Sequence, residues 1–173
     1  MLKKHCIYQI ISATFVKGQY TTATYMKLQI HSTPRNSYSE YQLQAVTRHL
    51  NVSDIVLPFW GHRRKIPAYR ITWLEGQGNY TVVHFSDGSE MIVSLTLKKL
   101  EGRLPTEIFV RPHKKSIINL LYLQEIRPGK STTICLTNGC EIEVSRRKTT
   151  HFMRLVVAFQ QEFLPLTTQY AVA

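Results

Sequence analysis

From Ile55 onward the chain sustains no long apolar run but breaks into short apolar segments separated by turn residues. That rhythm suits successive β-hairpins and leaves little room for long helices. Ile55 to Phe59 reads as a strand and the polar Gly61 to Lys65 as a turn. Ile66 to Leu74 and Asn79 to Phe85 are strand candidates either side of Gly76-Gln77-Gly78, and Asp87-Gly88 turns the chain into Met91 to Val93. Ser94 then offers a helix cap, and Leu95, Leu97, Leu100 and Leu104 carry the spacing that a short amphipathic helix buries. After Pro105, β character returns at Ile108 to Arg111, Ser116 to Asn119, Leu121 to Arg127 and Thr132 to Leu136. Asn138-Gly139, two residues that tolerate positive φ, predicts a tight primed hairpin turn. Beyond it Ile142 and Val144 should face the core while Glu141 and Glu143 face water. The last element is helical: Phe152, Leu155, Val156, Phe159 and Phe163 line one face. Pro165 is expected to end it, leaving 165–173 as a mobile tail. The fold class is therefore mainly β, with antiparallel sheets and hairpins, one short internal helix and a C-terminal amphipathic helix.

A length of 173 residues allows one ordinary domain with its own core plus an extension. Residues 1–54 are rich in Thr, Ser, Gln and Tyr and read as an N-terminal extension, poorly ordered apart from a short helix near Tyr38 to Leu50; the domain itself is 55–164. Met26 is a second candidate start. The mildly apolar stretch from Cys6 to Val16 has the look of a signal peptide but is diluted by Tyr8, Gln9 and Ser12. Nothing approaches the length of apolar chain that spans a bilayer, so membrane insertion is not expected. Cys6, Cys135 and Cys140 form neither a zinc spacing nor a disulfide framework, which fits a reducing cytoplasm. Cys135 and Cys140 flank a turn and could form a redox pair, although small buried hydrophobes is the reading their setting favours.

The chain carries a formal net charge of +11, which attracts a polyanion such as nucleic acid or an anionic membrane. The excess is not confined to the extension, because 55–164 holds 16 Lys and Arg against 9 Asp and Glu. Three clusters sit at loops or element ends. Ser145-Arg146-Arg147-Lys148 places cations at the start of the final helix, where they oppose the helix dipole unless an anion joins them. Arg111-Pro112-His113-Lys114-Lys115 forms a basic loop between two strands, with chemistry that can read guanine edges or grip phosphates. Glu75-Gly76-Gln77-Gly78-Asn79-Tyr80 combines glycines for close backbone approach with the amides of Gln77 and Asn79. No nucleophile, paired acid or metal cluster is present, so neither an enzyme nor a bound cofactor is expected.

Trp73 to Tyr80, Leu95 to Leu104, Phe109 to Lys114, Ile117-Ile118-Asn119, Asn138-Gly139 and Val144 to Arg147 occur in the order and at the intervals of a known family. Residues 55 to about 160 resemble a LytTR domain, the DNA-binding output module of many bacterial response regulators. The resemblance implies an elongated arrangement of small antiparallel sheets whose loops enter successive major grooves, commonly bending the DNA. It implies contacts by Asn79, Tyr80 and Thr81, by Arg111 and Lys114, and by Arg147 with its neighbours Arg146, Lys148 and Thr150; Gln77, His113 and Lys115 complete the candidate set. Lys115 and Ser116 depart from the family, which usually has a small polar residue and an aromatic there. The region before Ile55 is too short and too poor in acids for a receiver domain, so a separate sensor kinase or regulator is expected to act on the chain. The expected partner is double-stranded DNA, with two copies pairing or binding in tandem on repeated sites. The readings left open beside it are a basic protein-interaction or membrane-surface adaptor and an RNA-binding module.

Overall fold

The computed structural model describes residues 38–59 and 61–169. Cys6, Met26 and the rest of 1–37 lie outside these residues, as do 170–173 of the expected tail. Among the described residues, ten strands and three α-helices follow in the order α1 (Glu40–His49), β1 (Ile55–Phe59), β2 (His62–Ile66), β3 (Ile71–Gln77), β4 (Tyr80–Phe85), β5 (Glu90–Val93), α2 (Leu97–Glu101), β6 (Phe109–His113), β7 (Ser116–Asn119), β8 (Leu123–Arg127), β9 (Thr133–Leu136), β10 (Glu141–Glu143) and α3 (Thr149–Gln169). All pairings are antiparallel. They build a five-stranded sheet in the order β5-β4-β3-β7-β6, a three-stranded sheet β10-β9-β8 and the ribbon β1-β2. The mainly β architecture with a short internal helix and a C-terminal helix is the one the sequence predicts.

One apolar core joins the pieces, running from Leu43 and Val46 on α1 through Leu74, Val83 and Ile118 in the large sheet to Ile134 and Val144, and closing on Phe152, Val156, Phe159 and Phe163 of α3. Ile142 and Val144 are buried while Glu141 and Glu143 are exposed, as their alternation requires. Asn119, at the end of β7, is fully buried; its Nδ2 donates to the carbonyls of Ala68 and Ile71 and its Oδ1 accepts from the N–H of Leu121. Cys135 is buried, Cys140 is half-buried, and both thiols are free, so no redox bond joins them.

Several local expectations are revised. Gly61 to Lys65 is not merely a turn, because β2 pairs along the whole of β1 from Ile55↔Ile66 to Phe59↔His62. A ribbon whose second strand is exposed at every position but Ile66 shows no alternation to read. The strand expected over Ile66 to Leu74 is split by Pro67 and a 3₁₀ turn at Ala68–Arg70. Thr96, not Ser94, caps α2, its Oγ1 accepting from the N–H of Lys99, because β5 runs on to Val93 and the helix opens only at Leu97. The loop expected over Arg111 to Lys115 shrinks to Lys114-Lys115, since β6 continues to His113. Pro112 has no N–H to give the ladder, and the register accordingly shifts between Val110 and His113. Of the Asn138-Gly139 pair only Gly139 takes positive φ, at 82°. Its N–H donates to the Leu136 carbonyl and that of Leu136 to Cys140, which closes a three-residue loop with the glycine as the left-handed residue in place of a two-residue primed turn. The Asn138 side chain accepts from the N–H of Cys140 instead of its backbone flipping.

At both ends of the described residues more structure is present than expected. The helix foreseen near Tyr38 to Leu50 is α1, opened by a reciprocal capping box between Ser39 and Gln42. It is no appendage: Leu43 and Val46 enter the core, the Tyr38 ring stands edge-on to Phe163, and Glu40 pairs with Arg70 at 3.0 Å. At the other end Pro165 lies inside α3, which runs on to Gln169. A proline forfeits one helical hydrogen bond and crowds the preceding turn, yet these costs do not oblige a long helix to stop.

Candidate nucleic-acid interface

Strand register decides where the three basic or amide-rich segments meet. Gln77 faces Tyr80 across the β3–β4 turn, Glu75 faces Ser116 on β7, and Thr81 faces Val93 on β5. The β3–β4 turn, the β6–β7 turn and the exit of β5 therefore share one end of the five-stranded sheet. A hydrogen bond from the N–H of Gly76 to the carbonyl of Lys115, 2.8 Å, ties the first two turns together. The third segment, Arg146–Lys148, forms a 3₁₀ turn leading into α3. It is fastened to the same end by the Ser145 N–H, which donates to the Pro112 carbonyl at 3.0 Å, and by the Lys148 Nζ, which donates to the Arg111 carbonyl at 2.8 Å.

The candidate residues divide into an exposed set and a set turned inward. Gln77, Asn79, Lys114, Lys115, Arg146, Arg147 and Thr150 are exposed, as is the Tyr80 ring at 54%. None of the four cations in that set has an ion-pair partner among the described residues. No acidic residue occupies the first turn of α3, so the positive end of its dipole adds to Arg146 and Arg147. Such a surface attracts phosphate oxygens through charge and through exposed N–H donors.

Thr81 differs from expectation: its side chain is 0% exposed, and its hydroxyl donates to the Leu95 carbonyl at 2.7 Å, bracing the strand behind the turn. Lys148 and His113 are half-buried. The Lys148 ammonium is spent on the Arg111 carbonyl, and the His113 Nδ1 accepts from the N–H of Lys115 at 3.3 Å. Arg111 is also turned inward, with its side chain 18% exposed. One guanidinium nitrogen donates to Glu101 at 2.6 Å and the other to the Lys114 carbonyl at 2.7 Å, while its Nε is buried without a partner. Reading the sequence did not find Glu101, because no spacing rule joins a helix terminus to an arginine ten residues later. It did not find the contact beneath Gly76 either, where Leu97 of α2 packs so closely that a Cβ would meet its Cδ1 at 2.7 Å.

A second polar group lies nearby on β3 and β4. The His84 imidazole stacks on Trp73 at 4.1 Å, with Glu90 3.0 Å and Glu75 3.9 Å from its two nitrogens. Burial raises the Cys140 thiol above its ordinary value, and the charges of Glu75, Cys135 and Glu141 add to that rise. At neutral pH Cys140 is thus a protonated, weakly reactive thiol. No grouping of His, Cys, Asp and Glu among the described residues could hold a metal ion, and no described helix is long and apolar enough to cross a membrane.

An antiparallel β scaffold that gathers loops, not a protruding helix, into one cation-lined end defines a class of DNA-binding output module. The chain belongs to the LytTr DNA-binding domain family, whose model matches residues 62–156. It is similar to the transcriptional regulatory protein BtsR of Escherichia coli K12, 39% identical over an alignment of 95 residues that covers 53% of this chain and 38% of that protein. It is also similar to the sensory transduction protein LytT of Enterococcus faecalis, 40% identical over 53 residues, 30% of this chain and 22% of that one. Among solved structures, the LytTr domain of a putative methyl-accepting/DNA response regulator from Bacillus cereus superposes with a TM-score of 0.52 at 23% identity, covering 60% of this chain and 96% of that one. That likeness shows the shared fold. The chain spans 38% of the length of the BtsR relatives.

Proposed function

We propose that this chain is a sequence-specific, double-stranded-DNA-binding regulator of transcription that works in the cytoplasm and acts by binding alone, with no cofactor. The observation that carries the reading is the fastening of three segments to one sheet end by the Gly76–Lys115, Ser145–Pro112 and Lys148–Arg111 hydrogen bonds. In this reading Gln77, Asn79 and Tyr80 enter one groove, Lys114 and Lys115 meet the adjoining backbone and bases, and Arg146, Arg147 and Thr150 contact the next stretch of duplex. Arg111, His113, Thr81 and Lys148 hold those groups in place. Two copies bind repeated short sites, and the signal reaches the chain from a separate sensor kinase or regulator.

Selecting bound duplexes from a random pool and then titrating the recovered motif against a scrambled duplex tests the proposal. A short, repeated motif bound at least about a thousandfold more tightly than the scrambled duplex at physiological salt is the expected result. Equal affinity for both, or preference for anionic vesicles or single-stranded RNA over any duplex, would refute it.

A further inference from the structure

We propose that Glu101 is a positioning residue of the DNA-binding surface, acting through Arg111 to set the β6–β7 turn. The inference rests on the reading of this sheet end as a DNA-binding surface and names a residue outside the candidate set. Glu101 ends α2, and its carboxylate takes one arm of the Arg111 fork at 2.6 Å while the other arm holds the carbonyl of Lys114 at 2.7 Å. The planar guanidinium thereby spans from the helix to the turn as one rigid brace. The carbonyl of Lys115, the next residue, is bound by the Gly76 N–H, so the two exposed lysines sit on a turn whose successive carbonyls are both fixed.

The enclosure of Arg111 sets this arrangement apart from an ordinary surface ion pair, although the Glu101 side chain is 46% exposed. The Arg111 side chain is only 18% exposed and its Nε is sealed from water without a partner. A guanidinium held on both arms and buried at its Nε gives up Glu101 for a phosphate less readily than a free surface arginine would. A carboxylate that merely neighboured the DNA surface would repel phosphate, and removing it would tighten binding to every sequence. A brace behaves in the opposite way: without Glu101 the fork loses its anchor on α2, the turn gains freedom, and base contacts that need fixed geometry suffer while charge-driven attraction does not.

The test titrates the full chain and its Glu101→Ala and Glu101→Gln variants with a duplex bearing the selected motif and with a scrambled duplex, with thermal unfolding followed alongside. For Glu101→Ala, affinity for the motif should fall by about tenfold or more, in keeping with loss of a charge-assisted hydrogen bond. Affinity for the scrambled duplex should hold or rise. Glu101→Gln keeps an acceptor oxygen and should lose less, and it carries the test if the alanine variant does not fold. Glu101→Ala combined with Arg111→Ala should bind the motif no more weakly than Arg111→Ala alone, because the two residues act in series. Tightening on both duplexes, parallel weakening on both, or additive losses in the double variant would overturn the proposal. Wild-type chain that shows no preference for any duplex would instead overturn the reading beneath it, and that result appears before any substitution is made.

Discussion

The N–H of Gly76 on β3 donates to the carbonyl of Lys115 at the β6–β7 turn, 2.8 Å away, and this single bond joins two of the three surface segments. A Cβ at residue 76 would leave this bond room, 3.6 Å from the Lys115 carbonyl oxygen, but would crowd α2 on the other side. A Cβ there would lie 2.7 Å from Leu97 Cδ1 and 3.1 Å from its Cγ, and Leu97 is itself buried and unable to retreat freely. Gly76→Ala should therefore cost about 1–3 kcal/mol of folding stability through overpacking and push β3 away from α2. Denaturant titration measures the cost; an alanine variant as stable as the parent would show that Leu97 yields without strain.

Arg147 and Lys115 are both exposed cations but should fail differently when truncated. Arg147→Ala is expected to weaken binding to the selected motif by about 1–3 kcal/mol, with a smaller loss on scrambled DNA, if its fork reads base edges. Lys115→Ala should weaken both duplexes alike and lower the slope of log affinity against log salt by about 0.9, the share of one phosphate contact. Binding isotherms across a salt series separate the two. An unchanged slope for Lys115→Ala would remove its phosphate role, and equal losses on both duplexes would make Arg147 a phosphate contact as well.

How much of this could be read from residues alone follows from how local each cause is. The stripe Phe152, Val156, Phe159 and Phe163 and the alternation across Glu141 to Val144 declare their buried faces because one side meets the core and the other water. His62 to Lys65 gives no such sign, since all four residues are exposed and only Ile66 of that strand reaches the core. The exposed cations were legible as charge at turns. Which of them would turn inward was not: the fates of Arg111 and Thr81 depend on Glu101 and Leu95, partners that only the folded chain brings within 3 Å. The docking of α1 was hidden for a related reason, because its contribution to the core is little more than Leu43 and Val46.

Among the described residues Asn119 is the one fully buried side-chain amide, and its bonds go to backbone: Ala68 at 3.3 Å, Ile71 at 2.8 Å and the Leu121 N–H at 3.1 Å. It stitches the end of β7 to the start of β3, the far end of the sheet from the basic turns. Asn119→Leu is similar in size but leaves these backbone groups without partners, and each buried unsatisfied group costs about 1–3 kcal/mol. A loss of roughly 2–5 kcal/mol in unfolding free energy is expected, with DNA contacts untouched in whatever fraction remains folded. A variant of near-parental stability would mean that water or backbone movement satisfies the abandoned groups.

The pairing of Glu40 with Arg70 makes the seating of α1 sensitive to acid. The Arg70 hydrogen bond, followed by that of Tyr69 and the Arg70 charge, holds the Glu40 carboxyl below its ordinary value of 4.5. An acid whose folded value is depressed stabilises the fold at pH above the unfolded value, and that contribution disappears as pH falls through the folded one. The ion pair is exposed and screened by salt, so the effect belongs to the local docking of α1 and not to the whole fold. Amide exchange at Leu43, Val46 and Thr47 should accelerate as pH drops below about 4.5, after correction for intrinsic rates, while protection in β3 and β7 persists. Glu40→Gln should abolish that acid step and leave α1 slightly looser at neutral pH. If the variant showed the same acid step as the parent, another carboxylate would govern the seating of α1 and the Glu40–Arg70 pair would have no part in it.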